Sequence, residues 1–227
     1  VGRGGRATAL QARQIINSVY RHANDRGHGF FNPAAAINPS AIATFKPKDR
    51  SLTPEEIGTL FRALDNVGTM PTLKLAVKLV LINKLRKSEF KLATWKEIDF
   101  RKSTWSIPAG RMKASRDHVI YLPRQAQDIM VGLQMCAGGS EYLVPGRFSS
   151  SKPLSNAALN SVIDRAVAQA NKDGEVLEPM AVHDLRRTGS TLLHEAGFPS
   201  DWIEKALAHE QRGVRAVYNK AEYADGR

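Results

Sequence analysis

With a single cysteine, Cys136, in 227 residues, the chain cannot form an internal disulfide, and such usage fits a reducing compartment. Long apolar runs are also missing. The longest, residues 73–85, is interrupted by Lys74, Lys78 and Lys84 and is too short to cross a bilayer. The opening Val-Gly-Arg-Gly-Gly-Arg holds no apolar stretch of the kind that makes a signal peptide. His183, His194, His209 and Cys136 fall in no zinc-ligand spacing, and neither repeats nor low-complexity tracts occur. A soluble, cytoplasmic protein is expected, working without a metal or cofactor and away from membranes. The absent initiator Met and abrupt opening lead us to expect a piece of something longer.

Acidic residues are scarce as well. Asp and Glu number 22 against 33 Lys and Arg, a net charge of +11. Such a field favours a polyanion, nucleic acid being the commonest, although ribosomal, membrane-surface and merely soluble basic proteins share it. The excess is uneven: residues 1–50 carry 8 basic and 2 acidic residues, or +6, leaving +5 for the other 177. The N-terminal piece therefore reads as an electrostatic clamp. A hydrophobic content of 42% with 24% charged residues excludes a disordered chain and suffices for one full domain plus a smaller piece.

Residues 9–26 place Leu10, Ile15, Ile16, Val19 and Tyr20 in a helix closing near Gly27, and residues 38–50 read as a linker. Thr53, Pro54 and Glu56 form a helix start with a capping box, so a boundary is set near Lys48, giving units 1–47 and 48–227. Leu73, Ala76, Val77, Val80 and Leu81 repeat at helical spacing, and that helix delivers Arg86 at its end. Residues 97–100, 104–108 and 118–122 look like three short strands, with a basic tip at residues 110–116 between the last two. Helices are expected over 156–171, over 183–196 with Gly197 as cap, over 201–209, and around Tyr218. The fold class is mainly α with a small three-stranded antiparallel sheet (α+β).

His183 and Arg186 stand three apart at a helix start, on one face, where an imidazole and a guanidinium suit a phosphate. Taken alone the pair is a cap and a surface Arg, and the spacing does not separate Arg186 from Arg187. The stripe Leu185, Gly189, Leu192, Leu193 and Ala196 is expected to be buried. Arg86 alone would be a helix-end residue, and Lys113 one surface Lys in a basic tip.

The run His183-Asp184-Leu185-Arg186-Arg187-Thr188 resembles the His-x-x-Arg motif of tyrosine recombinases. Leu207-Ala208-His209 is similar to that family's Leu-Gly-His, and Tyr218 follows nine residues later, at the family's spacing. The setting of Tyr218, from Val217 to Tyr223, resembles integrases of satellite prophages and genomic islands. Leu85-Arg86-Lys87-Ser88-Glu89 is similar to the first catalytic Arg with its Glu, and Arg111-Met112-Lys113 to the hairpin bearing the catalytic Lys. Five motifs in the right order cover roughly residues 51–223.

The resemblance implies a catalytic integrase fold preceded by the end of a helical core-binding domain. It implies strand cleavage and rejoining through a 3′-phosphotyrosine, for integration and excision of a mobile element. Tyr218 would be the nucleophile, His183 the acceptor of its proton, and Lys113 the donor to the leaving 5′-oxygen. Arg86, Arg186 and His209 would bind the phosphate, Glu89 would orient the site, and Arg111, Arg116 and Arg187 would contact DNA. The implied partners are duplex attachment-site DNA, further copies forming a tetramer on it, an excisionase and a host DNA-bending protein. Two departures stand out: Asn83-Lys84 where the family has Thr-Gly, and Ala208 for Gly. The first bears on the turn that places Arg86. A type IB topoisomerase and a catalytically silent DNA-binding relative are the rival readings.

Overall fold

The computed structural model describes residues 5–44, 49–113, 115–209, 221, 223 and 224. The chain divides into two compact units, Val1–Lys48 and Asp49–Arg227.

In the first unit helix α1 (Gly5–Asn24) buries none of its described residues, and Ile15, Ile16 and Val19 are exposed along it. Asn24 closes the following turn by pairing with both backbone groups of Phe30, at 2.8 and 2.7 Å. Asn32 reaches back to Asn17 at 2.9 Å. The segment expected to be linker contains one short helix, α2 (Pro39–Ile42), capped by the Asn38 side chain and begun by a proline at its first position.

The second unit starts with α3 (Pro54–Asn66), and its capping box forms as the sequence requires. Thr53 Oγ1 accepts from the Glu56 N–H at 3.2 Å, and Glu56 accepts from the Thr53 N–H at 3.0 Å. The central helix is α4 (Pro71–Asn83), which packs against α6 (Arg124–Cys136), α7 (Ala158–Lys172) and α8 (Val182–Glu195). It buries Leu73, Ala76, Val77, Val80 and Leu81, the predicted face, and Leu79 besides. A helix buried on several sides positions whatever leaves its ends rigidly. Helix α6 is not among the expected elements, although its buried Ala126, Met130 and Leu133 recur at helical spacing.

The sheet has three short antiparallel strands in sequence order: β1 (Ile98–Asp99), β2 (Thr104–Ile107) and β3 (His118–Tyr121). Trp105 pairs with Ile120 and Ile107 with His118, and all four turn inward. Trp95–Glu97 form a single 3₁₀ turn, so Glu97 precedes the sheet and does not lie in it. A second, two-stranded sheet was not expected: β4 (Pro145–Gly146) with β5 (Ser149–Pro153). The fold is mainly α with small antiparallel sheets.

Helix α8 ends as predicted. Gly197 adopts φ 81°, its N–H reaches His194 O at 3.0 Å, and Phe198 N–H reaches Leu193 O at 3.1 Å. Its predicted apolar stripe is only partly right. Leu185 is buried, but Gly189, Leu192 and Leu193 are half-buried and Ala196 is exposed. Asp184, Arg186 and Thr188 are buried in their stead. The helix expected around Tyr218, and Tyr218 itself, lie outside the described residues. Among the described residues no helix is long and apolar enough to cross a membrane.

Candidate active site

Helix α4 stops at Lys84, which takes the left-handed conformation, φ 52° and ψ 40°. The turn is closed by the Leu85 N–H on Val80 O at 3.2 Å, and Leu85 is buried. Arg86 then emerges as the cap of a five-residue helix, α5 (Lys87–Lys91). Glu89, 3% exposed, holds Arg86 twice, accepting from its backbone N–H at 3.0 Å and from Nη1 at 2.6 Å. A buried carboxylate thus fixes both the backbone and the guanidinium of Arg86, which keeps one edge towards solvent.

Arg186, 5% exposed, enters from α8. Its Nη1 donates to the carbonyl of Lys84 and its Nη2 to the carbonyl of Leu207. Nη2 also stands 3.3 Å from Nε2 of His209. Burial pushes the Arg186 pKa down to about 10, and the neighbouring Arg86 charge adds to this, against weaker opposing effects of Glu89 and Glu204. Two guanidiniums are therefore close enough to repel, with the buried Glu89 carboxylate holding Arg86. Paired guanidinium donors are suited in chemistry to an anion.

His209 follows helix α9 (Ser200–Ala206). The chain turns at Ala208, φ 50°, and the His209 N–H reaches Glu204 O at 2.9 Å. Its Nδ1 meets the Glu204 carboxylate at 2.7 Å, which leaves Nε2 on the Arg186 side. Both departures from the family pattern thus fall on left-handed residues, where glycine is the unstrained choice. The chain makes these turns with Lys84 and Ala208, at a cost of about 1 kcal/mol each.

Arg86, Arg186 and His209 are brought together, and the ambiguity between Arg186 and Arg187 is resolved by direction. Arg187 turns to Asp184 at 3.2 Å and Asp49 at 3.8 Å, towards the start of the unit. Its expected DNA contact would have to compete with two carboxylates. His183, exposed in the first turn of α8, lies one turn before Arg186. Lys113 and Arg116 are exposed on the connection between β2 and β3. Arg111 does not join them. Its guanidinium turns inward onto Glu97, which also accepts from Trp105 Nε1 at 3.0 Å and from the Thr94 N–H at 3.1 Å. The DNA contact expected of Arg111 would have to compete with this largely buried ion pair to Glu97. Tyr218 lies outside the described residues.

Three residues at the site escaped the sequence analysis. Glu204 was detectable as the carboxylate one helical turn ahead of His209. Asp184 lies inside the His-x-x-Arg motif, where its carboxylate caps the Ala181 N–H at 2.9 Å. Lys84 acts through its backbone carbonyl, which no side-chain pattern reveals. A pocket of about 340 Å³ beside the cluster is lined by Lys84, Tyr121, Leu122 and Ala206. A larger cavity of about 1000 Å³, at the other end of α4, holds none of the predicted site residues. No group of three or more potential metal ligands occurs among the described residues.

Comparison with known proteins finds relatives over nearly the whole chain. Prophage integrase IntA of Escherichia coli K12 is 32% identical over 99% of this chain and 53% of its own length. The integrase of Enterobacteria phage P4 is 31% identical, again over 99% of this chain and 53% of its own. The chain spans about half the length of the curated relatives it matches. Among solved structures, a lambda integrase fragment, crystallised as a dimer bound to a core site, superposes with a TM-score of 0.70 at 20% identity. That match covers 92% of this chain and 74% of the other. The Tn1549 transposon integrase in complex with transposon right end DNA gives 0.73 at 16%, over 93% and 77%. Both share the fold. The sequence profile of the phage integrase family matches residues 50–225, and the chain belongs to that family.

Proposed function

We propose that the chain is the catalytic part of a tyrosine recombinase, which cleaves duplex DNA at an attachment site and rejoins it through Tyr218. The observation that carries this is the Arg86–Arg186–His209 cluster. Two guanidiniums and an imidazole converge from three separate helices or their ends; Glu89 engages Arg86 and Glu204 engages His209, while Arg186 has no carboxylate at ion-pair distance among the described residues. A scissile phosphodiester supplies the missing charge. Its non-bridging oxygens gain negative charge as the phenolate attacks, and preorganised donors in a poorly hydrated site then contribute roughly 3–4 kcal/mol each.

In this reading the Tyr218 oxygen bonds to phosphorus as the bond to the 5′-oxygen breaks. His183 takes the phenol proton, and Lys113, on its exposed tip, delivers a proton to the departing 5′-oxygen. Attack by a 5′-hydroxyl on the phosphotyrosine reverses the sequence. Bond energy is conserved and no nucleotide is consumed. Arg116 and Arg187 would add contacts to the DNA backbone, largely independent of sequence and steeply salt-dependent.

The lambda integrase structures include a dimer on a core site and a tetramer on a Holliday junction. By analogy we infer strand exchange within a tetramer of the parent protein on attachment-site DNA in the bacterial cytoplasm, assisted by an excisionase and a DNA-bending protein. The first unit, residues 1–48, would be the end of a core-binding domain, its exposed α1 face and positive charge serving as one arm of a clamp. Covalent trapping tests the proposal. Incubated with a nicked duplex from beside its gene, the parent protein should give a denaturation-resistant protein–DNA adduct that Tyr218→Phe abolishes. Binding without any adduct from the unaltered protein would sink the catalytic reading.

A further inference from the structure

We propose that Glu204 is a positioning residue for the reaction, holding His209 so that Nε2 faces the scissile phosphate and balancing the second proton which that contact requires. The inference rests on the phosphoryl-transfer reading above and extends it to a residue outside the motifs.

Glu204 grips His209 at two points. Its carbonyl accepts the His209 backbone N–H at 2.9 Å, and its carboxylate meets Nδ1 at 2.7 Å. Two attachments from one residue, across the left-handed turn at Ala208, fix the direction in which the ring leaves the chain. A carboxylate at Nδ1 can only accept, so Nδ1 carries the hydrogen and the tautomer is set. In the neutral ring Nε2 is then a lone pair, which suits its present neighbour, the Arg186 guanidinium at 3.3 Å. A phosphate oxygen is an acceptor too. To serve it, Nε2 must carry a second proton, and the ring becomes a cation.

That cation would sit beside Arg186 from α8, with Arg86 and Glu89 of α5 behind it. Glu89 is already engaged by Arg86. Glu204 is the remaining carboxylate seen to act on this cluster, since its charge opposes the fall in the Arg186 pKa. It therefore gives the protonated ring a partner of its own, where a third unbalanced cation would otherwise face two guanidiniums.

Two variants separate orientation from charge. Glu204→Gln keeps an oxygen for the Nδ1 hydrogen and removes the charge, whereas Glu204→Ala removes both. Long-range ¹H–¹⁵N NMR of this chain in mildly alkaline buffer reads the His209 tautomer, with His209→Gln identifying the signal. The unaltered chain and Glu204→Gln should show the hydrogen on Nδ1, and Glu204→Ala should revert to mainly Nε2–H. In the trapping assay with the parent protein, Glu204→Ala should slow adduct formation on the order of 10- to 100-fold at unchanged DNA affinity. Glu204→Gln should fall between the two. An unchanged tautomer in Glu204→Ala, or an unchanged rate in both variants, would overturn the proposal. If even the unaltered protein forms no adduct, the function fails, while the tautomer still decides whether Glu204 positions the ring.

Discussion

Inorganic phosphate added to the DNA-free protein should raise its unfolding temperature, and most of the rise should depend on Arg186. The pKa of this guanidinium is pushed down to about 10, chiefly by burial. At about 1.4 kcal/mol per unit, keeping it charged costs the folded state roughly 3 kcal/mol. The folded value lies below the unfolded one, so this cost is present in full below about pH 10 and is relieved only as the pH climbs from there towards the ordinary guanidinium value. At neutral pH an anion against Arg186 and Arg86 recovers part of it. Recovery of half, about 1.5 kcal/mol, tightens a phosphate contact roughly tenfold. A screened contact on the order of 100 mM thereby becomes one of about 10 mM, worth about 1.4 kcal/mol at about 100 mM phosphate. For a chain of this size that is about 3–5 °C in the unfolding midpoint. Phosphate also strengthens burial generally by exclusion from protein surfaces, so the comparison that matters is with Arg186→Gln and Arg86→Gln in the same buffer. The variants should keep the general effect and lose the specific part. Equal shifts in all three proteins would refute the idea that these two guanidiniums form an anion site.

Other perturbations separate the turns from the charges. A Cβ on Gly189 would lie 2.7 Å from Lys84 Cγ and 3.1 Å from Leu81 O, so Gly189→Ala forces α8 away from the end of α4. Overpacking of about 1–3 kcal/mol outweighs a helix-propensity gain of about 1 kcal/mol. Urea unfolding should report a net loss, and adduct formation should fall further because the Lys84 carbonyl anchors Arg186; a more stable and fully active variant would contradict this. Ala208→Gly relieves a left-handed residue and should stabilise the chain by about 0.5–1 kcal/mol, whereas Ala208→Val should destabilise it, measured by the same unfolding curves. Arg111→Ala leaves the Glu97 carboxylate, half-buried beneath the sheet, without its partner and should cost about 3 kcal/mol. Arg116→Ala should leave stability unchanged and reduce the salt slope of DNA binding by about 1, as seen in filter-binding titrations. An exchange of these two phenotypes would reverse the assignment of the tip.

Local rules carried the sequence reading where a segment's structure depends on its own residues. Thr53 and Glu56 complete a capping box within four residues, and the five apolar positions of α4 are buried because nothing competes with their spacing. The reading failed where distant partners decide. Asp184, Arg186 and Thr188 are buried because the Ala181 N–H, the carbonyls of Lys84 and Leu207, and the Leu52 N–H give them partners, and only the first lies nearby in sequence. Leu192 and Leu193 are only half-buried and Ala196 is exposed, although their spacing continues the apolar stripe. The β4–β5 pair is rich in Ser and Pro and has no alternation to detect. Glu97, read as strand, turns out to begin the sheet by holding Arg111 and Trp105, a role visible only once the strands have paired.

The same long-range partners say what Arg186 does before any DNA arrives. Its two carbonyl acceptors belong to Lys84, itself left-handed, and to Leu207, which precedes the left-handed Ala208. One of these turns launches Arg86 and the other launches His209. A single guanidinium therefore ties the ends of α4 and α9 to the start of α8, and with them the two other members of the cluster. In this chain Lys84 and Ala208 hold the two turns in the left-handed conformation, with the carbonyls of Lys84 and Leu207 aimed at Arg186. It follows that Arg86 and Arg186 are not equivalent. Loss of Arg86 removes one donor from an otherwise standing site, whereas loss of Arg186 unfastens both turns and should disturb Arg86 and His209 together.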